Sequence, residues 1–188
     1  PESLAVIDCP CRAARGDEGC LPRDVCLVLG EPWVSFVMAY GEDSHPRQIT
    51  QEEAVEICER QHAAGNVQAI FWKESQNNRT YAICNCCICC CTALQAYNYV
   101  HTPMLAGSGY KCLIDGEKCN ACGKCAGKCK FFALKIENHE LLYDEEKCLG
   151  CGVCVRQCPN GAVSLRQDNP SACEPLDVEK LIPLYQRQ

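Results

Sequence analysis

The sequence lacks several features that would point to common classes of protein. No apolar run approaches the roughly 20 residues that a helix needs to span a bilayer; the best apolar stretch, residues 33–40, is less than half that length. Positive charge is not in excess, since the net charge is −6. The chain has four histidines, and neither a glycine-rich nucleotide loop nor a Ser/His/Asp arrangement is visible. We therefore expect no membrane span and no nucleic acid partner.

Cysteine, by contrast, makes up 21 of the 188 residues, above the level that marks a cysteine scaffold. Extracellular disulfide proteins usually carry an even number of dispersed cysteines behind a secretory leader. Here the count is odd, many cysteines stand at short fixed spacings, and no leader is visible. We expect a reducing compartment, the cytoplasm of an anaerobe, in which the thiolates bind metal.

One segment contains the same unit twice, with the second copy 29 residues after the first. Both copies have the spacing C-x2-C-x2-C-x3-C, and the residues around them recur as well, so the segment is an internal duplication. The cysteines of the first copy are Cys119, Cys122, Cys125 and Cys129, and those of the second copy are Cys148, Cys151, Cys154 and Cys158.

Each copy has the ligand spacing of a [4Fe–4S] cluster. Three cysteines at intervals of three residues can wrap one face of the cube, and glycines such as Gly123 and Gly152 suit the tight loop. We expect the fourth cysteine to begin a helical turn that leads to the cube of the other copy. The predicted ligands are Cys119, Cys122, Cys125 and Cys158 for one cluster, and Cys148, Cys151, Cys154 and Cys129 for the other.

These motifs, with a predicted hairpin of residues 134–136 and 141–143, resemble bacterial-type two-cluster ferredoxins over residues 111–167. The resemblance implies a ferredoxin-like fold with pseudo-twofold symmetry. One departure is the pair Phe131-Phe132, which stands where the second copy has Asn160-Gly161. We expect a bulkier pocket around one cluster, and hence unequal reduction potentials.

The N-terminal part has recognisable elements of its own. Thr50 and Glu53 predict a capping box at the start of a helix that stops near Gly65, and on this helix Cys58 is expected to be a core residue. Residues 4–7 favour a strand, residues 34–40 a helix or a strand, and residues 67–72 and 80–83 a hairpin. We also expect Cys112 to pack beside the cluster of Cys119, and Cys173 to have no special role.

Ten further cysteines are candidate metal ligands, because no apolar core demands such a density and exposed thiols oxidise readily. They are Cys9, Cys11, Cys20 and Cys26 in a loop, and Cys84, Cys86, Cys87, Cys89, Cys90 and Cys91 in a run of eight residues. A third iron–sulfur cluster would use either the four cysteines of the loop, or a pair from the loop and a pair from the run. Structural zinc, held by Cys9-x-Cys11 and Cys86-x-x-Cys89, is the alternative.

The motifs Cys9-Pro-Cys-Arg12 and Cys84-Asn-Cys-Cys-x-Cys-Cys-Cys91, with the helix between them, are similar to the cysteine-rich region ahead of two-cluster ferredoxin domains in ferredoxin-like proteins of anaerobes. This resemblance implies redox work in anaerobic metabolism. A histidine that follows the helix in that pattern is absent, since Val67-Gln68 stands in its place.

Together these observations predict an α+β protein with three parts: a cysteine-rich metal-binding module (1–105), a two-cluster ferredoxin domain (106–167) and a tail with a short helix (168–188). The expected function is electron transfer, as a carrier or redox subunit and not as an enzyme. Residues 1–100 hold 13 acidic and 7 basic residues, which favours a redox protein or larger oxidoreductase with a basic docking face. The alternative is a catalytic or substrate-binding N-terminal cluster that the ferredoxin half supplies with electrons.

Overall fold

Five strands of the N-terminal half form one antiparallel sheet in the computed structural model, which describes residues 3–73 and 79–169. The strands are β1 (Leu4–Asp8), β2 (Asp24–Leu29), β3 (Arg47–Gln48), β4 (Val67–Lys73) and β5 (Arg79–Cys86). Their order across the sheet is β3-β1-β2-β5-β4, so β2 is the central strand. In the described residues no helix is long and apolar enough to cross a membrane.

Helices cover both faces of this sheet. The N-terminal helices are α1 (Pro10–Ala13), α2 (Trp33–Tyr40), α3 (Gln51–Ala63) and α4 (Thr92–Val100). Ala54 and Ile57 of α3 pack against one face, and Val34 of α2 packs against the other. Residues 34–40, for which the sequence left helix and strand open, are therefore helical.

The predicted start of α3 is confirmed, although its capping box is only half formed. The Thr50 hydroxyl accepts a hydrogen bond from the Glu53 backbone N–H at 3.2 Å. The Glu53 carboxylate does not return to the Thr50 backbone; it forms a bidentate pair with Arg47 at 2.7 and 3.0 Å. A guanidinium fork is a better partner for a carboxylate than a single backbone donor.

Strand β2 is the main element that the sequence did not predict, because the residues around Cys20 and Cys26 favour a loop. Ile7 of β1 lies opposite Cys26, and Leu27 lies opposite Ile83 of β5. The next pair along β2 and β5 is therefore Cys26 and Cys84. Paired residues of neighbouring strands point to the same face, so the sheet brings these two thiols together from distant parts of the chain.

The C-terminal half consists of short elements around the duplicated motifs. They are β6 (Tyr110–Ile114), α5 (Lys124–Lys128), β7 (Leu134–Glu137), β8 (Glu140–Tyr143), α6 (Val153–Gln157) and β9 (Val163–Gln167). Strand β6 pairs with β9, and β7 pairs with β8, which confirms the predicted hairpin. Helices α5 and α6 end just before Cys129 and Cys158, so the fourth cysteine of each copy closes a helical turn, whereas we had expected it to begin one.

The two halves share a hydrophobic cluster. Leu94 of α4 and Val67 pack there against Phe131 and Val153 from the C-terminal half. Hydrogen bonds add to this contact, because the Gln157 side-chain amide donates to the Ala63 carbonyl at 3.0 Å. The division at residues 105 and 106 stays a prediction. The tail prediction falls almost entirely on residues outside the described part of the chain, as does Cys173.

Candidate metal centres

A first cavity of about 280 Å³ opens between the two copies of the motif. Its lining includes three cysteines of the first copy and one of the second: Cys119, Cys122, Cys125 and Cys158. Gly123 has a φ of +75° at the start of α5, which is the left-handed conformation that glycine adopts without strain. The Ala162 backbone N–H donates to the Cys158 sulfur at 3.2 Å.

A second cavity of about 360 Å³ has the reciprocal lining. Three of its cysteines come from the second copy and one from the first: Cys148, Cys151, Cys154 and Cys129. Here Gly150 has a φ of +69°, and a side chain at this position would collide with the Tyr110 carbonyl. Both cavities thus bring together the four cysteines that the repeat spacing predicts for one cluster.

The two cavities differ in how far they are covered. The second cavity is closed on one side by Phe131, which is 5% exposed and meets Tyr97 of α4 edge-on, with ring centroids 5.8 Å apart. The first cavity has Asn160 at the corresponding position, and its Cys122 is exposed. The bulky residue of the first motif therefore lies at the second cavity, against the N-terminal half.

Cys112 lies at the second cavity, which corrects the expectation that it packs beside the cluster of Cys119. Its sulfur is 3.9 Å from that of Cys154. The reason is strand pairing: β6 carries Cys112 opposite Leu165 of β9, and Leu165 lines the second cavity. Proximity in sequence to the first motif was misleading here.

Tyr143 lines the second cavity. Its hydroxyl is buried and has no nitrogen or oxygen partner among the described residues, but it contacts the Cys148 thiol. Burial, and then this contact, raise the pKa of Tyr143. Burial also raises the pKa of Cys151 to about 12. Burial disfavours the charged thiolate of Cys151, so a bound metal, whose positive charge stabilises the thiolate, is needed for this thiol to lose its proton at neutral pH.

Nine of the ten N-terminal candidate cysteines fall into two groups. The first, which we name the compact set, consists of Cys20, Cys87, Cys89 and Cys90, whose sulfurs all lie within 4.8 Å of one another. Cys20 and Cys89 are in direct contact, with sulfurs 2.9 Å apart. The Cys20 backbone N–H donates to the Cys90 sulfur at 3.4 Å.

The second group, which we name the extended set, is a chain of contacting thiols. Cys26 contacts Cys9 and Cys84, and Cys86 contacts Cys84 and Cys91. Apart from the compact set, no three donor atoms of His, Cys, Asp or Glu in residues 3–73 and 79–169 lie within 4.8 Å of one another. The five thiols are therefore spread over a larger space than those of the compact set.

The structure does not bring the four cysteines of the N-terminal loop, which the sequence offered as one ligand set for a third cluster, into one group. Cys20 belongs to the compact set, whereas Cys9 and Cys26 belong to the extended set. The reason is that Cys26 lies in the central strand β2 and Cys20 does not. Cys11 lies at the edge of the extended set, with its sulfur 3.9 Å from the Thr92 hydroxyl.

Hydrogen bonds within the extended set polarise its thiols. Bonds from Cys26 and Cys86 lower the pKa of Cys84 to about 4. A bond from Cys86 lowers the pKa of Cys91 to about 6, and a bond from Cys26 lowers that of Cys9 to about 6. The pKa values of Cys26 and Cys86 rise correspondingly. Three of the five thiols, those with a lowered pKa, therefore lose their protons readily, and the thiolate is the form of cysteine that binds a metal.

Arg12 supplies positive charge next to the extended set. Its side chain is 1% exposed, donates to the carbonyl of Pro22, and donates at 2.8 Å to Gln61 and at 3.1 Å to the Asn85 carbonyl. No carboxylate pairs with it among the described residues, and its Nε has no acceptor there. A buried guanidinium without an anionic partner is costly, so this site fits an anionic metal–thiolate group.

Sequence reasoning missed the polar side chains that hold these cysteines in place. Asn85 is buried, donates to the Val25 carbonyl at 2.7 Å and accepts from Gln68 at 2.7 Å. Gln61 accepts from both Arg12 and Asn66 at 2.8 Å. The signal for Arg12 and Asn85 was their place inside the cysteine motifs. Gln61 gave none, because on a helix it reads as an ordinary polar residue. Cys58 packs against the core, as predicted, and its thiol contacts Asn85 and not the cysteines of either set.

Comparison with known protein families supports the nature of the second motif. Residues 141–164 match the family model of a 4Fe-4S binding domain. No curated protein matched the chain in the search. The match covers the cysteines from 148 to 158 and, together with the cysteine cluster of the N-terminal half, indicates an iron–sulfur protein.

Proposed function

We propose that the protein is an electron carrier or redox subunit with two [4Fe–4S] clusters in its C-terminal half and a further iron–sulfur cluster in its N-terminal half. The observation that carries this proposal is the pair of cavities, each lined by three cysteines of one motif and the fourth cysteine of the other. When bound, such clusters supply reversible one-electron transfer. The cysteines hold them, and the surrounding residues set burial and hydrogen bonding.

The extended set is the best candidate for the N-terminal cluster. It provides five thiols, of which four can bind, and it agrees with the expectation of one pair from the loop and one from the cysteine run. Arg12 offsets the negative charge of a thiolate-bound cluster. The set is also close to the C-terminal half, because Cys86 and Cys91 belong to the same hydrophobic cluster as Cys151.

This contact suggests an order for the three centres. The extended set touches the covered second cavity through Phe131 and its neighbours, and the first cavity lies beyond it with Cys122 exposed. A redox partner would therefore exchange electrons at the first cavity or at the N-terminal surface. The excess of acidic residues in residues 1–100 favours a basic face on that partner, and the oxygen sensitivity of such thiols favours an anaerobic cytoplasm.

The proposal is tested by removing the one cysteine of the second motif that lines the first cavity. Cys158→Ala in the anaerobically purified full chain is expected to lose about four irons and about four sulfides per chain, the content of the first cavity. The N-terminal metal should stay. Cys58→Ala, which removes a thiol outside every set, should keep all iron and sulfide.

Two results would contradict the proposal. Unchanged iron and sulfide in Cys158→Ala would mean that the two motifs do not share ligands. Loss of all metal in Cys158→Ala, with Cys58→Ala intact, would mean that the division into two modules is wrong.

A further inference from the structure

The compact set of Cys20, Cys87, Cys89 and Cys90 is not needed for any of the three clusters. We propose that it is a separate site for a single metal ion, either zinc or ferrous iron, bound by four thiolates without inorganic sulfide. The site is distinct from the extended set, and the proposal does not depend on how many clusters the protein holds.

The spacing of the sulfurs is the first reason. Four thiolates at about 2.3 Å from one zinc ion form a tetrahedron with edges of roughly 3.8 Å. The compact sulfurs lie within 4.8 Å of one another, and those of Cys89 and Cys90 are 4.0 Å apart. Thiolates on an iron–sulfur cube bind four different irons and stand farther apart. In agreement with this, the cysteines around the two cavities do not form a group within 4.8 Å.

The second reason is that the local backbone already supports the site. The Cys91 backbone N–H donates to the Cys87 carbonyl at 2.9 Å, which closes a turn around Cys89 and Cys90. The Gln95 side chain donates at 3.0 Å to the carbonyls of residues 88 and 89. These bonds fix the three thiols of the run, so little conformational freedom remains to be lost when an ion binds.

The fourth thiol is brought in from a distant segment by the same kind of contact. The Cys20 backbone N–H donates to the Cys90 sulfur at 3.4 Å. A thiolate that binds a metal is oriented by hydrogen bonds of this kind from neighbouring groups. The segment that carries Cys20 also carries the positively charged Arg15, whose side chain donates to the Gln95 side chain at 3.0 Å. An ion here would tie residues 16–22 to the cysteine run.

Binding of the ion conserves atoms and charge in a simple way. Four neutral thiols release four protons to solvent, and the divalent ion with four thiolates carries a net charge of −2. No electron is transferred and no sulfide is required.

The test compares total metal with acid-labile sulfide in the anaerobically purified full chain. A [4Fe–4S] cluster contains equal amounts of iron and sulfide, so any number of such clusters leaves iron plus zinc equal to sulfide. The proposal predicts an excess of about one metal ion per chain in the wild type. It predicts no excess, with sulfide unchanged, in the double variant Cys20→Ala/Cys89→Ala. Cys58→Ala should retain the excess.

Identification of the ion follows from the same samples. Zinc in the excess means a structural ion, and iron in the excess means a redox-active one; either result supports the site. Growth with cobalt should give the strong visible absorption of tetrahedral cobalt thiolate in the wild type and in Cys58→Ala, and none in the double variant.

Three results would overturn the proposal. Equal metal and sulfide in the wild type would show that no mononuclear ion is present. A parallel fall of iron and sulfide in the double variant would assign the compact set to a cluster. A disulfide between Cys20 and Cys89 in the anaerobic protein would show that contact of these sulfurs does not serve metal binding. The wild-type comparison does not need a variant to fold. Absence of all sulfide would contradict the proposed function, but about one bound metal ion per chain would then still support this site and absence of bound metal would overturn it.

Discussion

The two halves of the molecule hold their cysteines at different distances. In the C-terminal half, four predicted ligands line each cavity and do not form a group within 4.8 Å. A closer pair there is Cys154 with the additional Cys112, whose sulfurs are 3.9 Å apart. In the N-terminal half, the thiols touch one another, within 4.8 Å in the compact set and as a chain of contacts in the extended set. A cavity between cysteines, or an extended chain of thiols, leaves room for inorganic sulfide, whereas four sulfurs that all lie within 4.8 Å of one another leave room for a single ion only. The distance between sulfurs is therefore informative about the kind of centre.

The halves also differ in what brings the cysteines together. In the C-terminal half, a short loop and a helical turn suffice, because three ligands of each cavity lie within seven residues. In the N-terminal half, a sheet does this work: β2 and β5 place Cys26 beside Cys84. The N-terminal centres should therefore depend on the fold, and the C-terminal centres mainly on their ligands. The predictions below test this difference, in order of decreasing effect.

The largest effect is expected from removal of two neighbouring thiols of the extended set. Because that set has five thiols, a neighbour can replace one lost ligand. The double variant Cys26→Ala/Cys84→Ala removes the two thiols that connect Cys9 with Cys86 and Cys91, so the remaining thiols no longer form one group. This double variant should lose about four irons and about four sulfides per chain and keep the content of the two cavities. Iron and sulfide analysis measures the loss. Retention of all sulfide would remove the extended set from the list of cluster sites.

Arg12→Gln should have the next largest effect, and it should act on the N-terminal half alone. The substitution removes a buried positive charge and the hydrogen bonds that Arg12 donates to the carbonyls of Pro22 and Asn85, while Gln61 keeps its bond from Asn66. We expect a loss of about 3–5 kcal/mol in the free energy of unfolding and a lower reduction potential for the N-terminal cluster. Anaerobic denaturant unfolding and a redox titration measure the two effects.

Two matched variants separate charge from structure at this position. Arg12→Lys keeps the charge and loses the fork of donors, so it should restore part of the potential and little of the stability. Arg15→Gln, an exposed neighbour, should change stability by no more than about 0.5 kcal/mol. Equal effects of Arg12→Gln and Arg15→Gln would contradict the role of Arg12 as the buried counter-charge.

Phe131→Ala should weaken the contact between the halves. Phe131 is 5% exposed and packs between Tyr97 and the second cavity, whereas Phe132 is 51% exposed. We expect Phe131→Ala to cost about 3 kcal/mol of unfolding free energy and Phe132→Ala less than about 1 kcal/mol. Denaturant unfolding of both variants under anaerobic conditions measures the difference. Similar costs would mean that the halves do not stabilise each other through this ring.

The smallest effect concerns the difference between the two cavities. Tyr143→Phe removes a hydroxyl that contacts Cys148 at the second cavity and has no counterpart contact at the first. Since hydrogen bonds to ligand sulfur stabilise the reduced cluster, its loss should lower one potential by on the order of tens of millivolts. A redox titration should show this shift in one cluster only. A shift in the cluster that Cys158→Ala removes would contradict the assignment of Tyr143 to the second cavity.

Much of the C-terminal half could be predicted from the sequence, because the spacing of its predicted ligands is a local property. The repeat of 29 residues predicted which four cysteines would meet at each cavity, and the hairpin of β7 and β8 followed from two short stretches that flank a polar Glu-Asn-His-Glu turn. The helical turns of α5 and α6 are also local features, although the fourth cysteine of each motif closes the turn and does not begin it.

The N-terminal half was less predictable for a physical reason. The partners of Cys26 are decided by the register of β2 with β1 and β5. The paired residues of β2 and β5, such as Leu27 and Ile83, are more than 50 residues apart in the chain, so this pairing leaves no local signal. The same long-range contacts explain the misplacement of Cys112, which follows β9 and not the nearby first motif. The family match, confined to residues 141–164, likewise reports only the local pattern.

The most direct test of the three-cluster proposal is the amount of acid-labile sulfide in the anaerobically purified full chain. Two clusters in the cavities and one in the extended set predict about twelve sulfides per chain. About eight would contradict an N-terminal cluster and leave only the two cavities occupied by clusters. Sulfide near zero would contradict iron–sulfur electron transfer as the function of this protein.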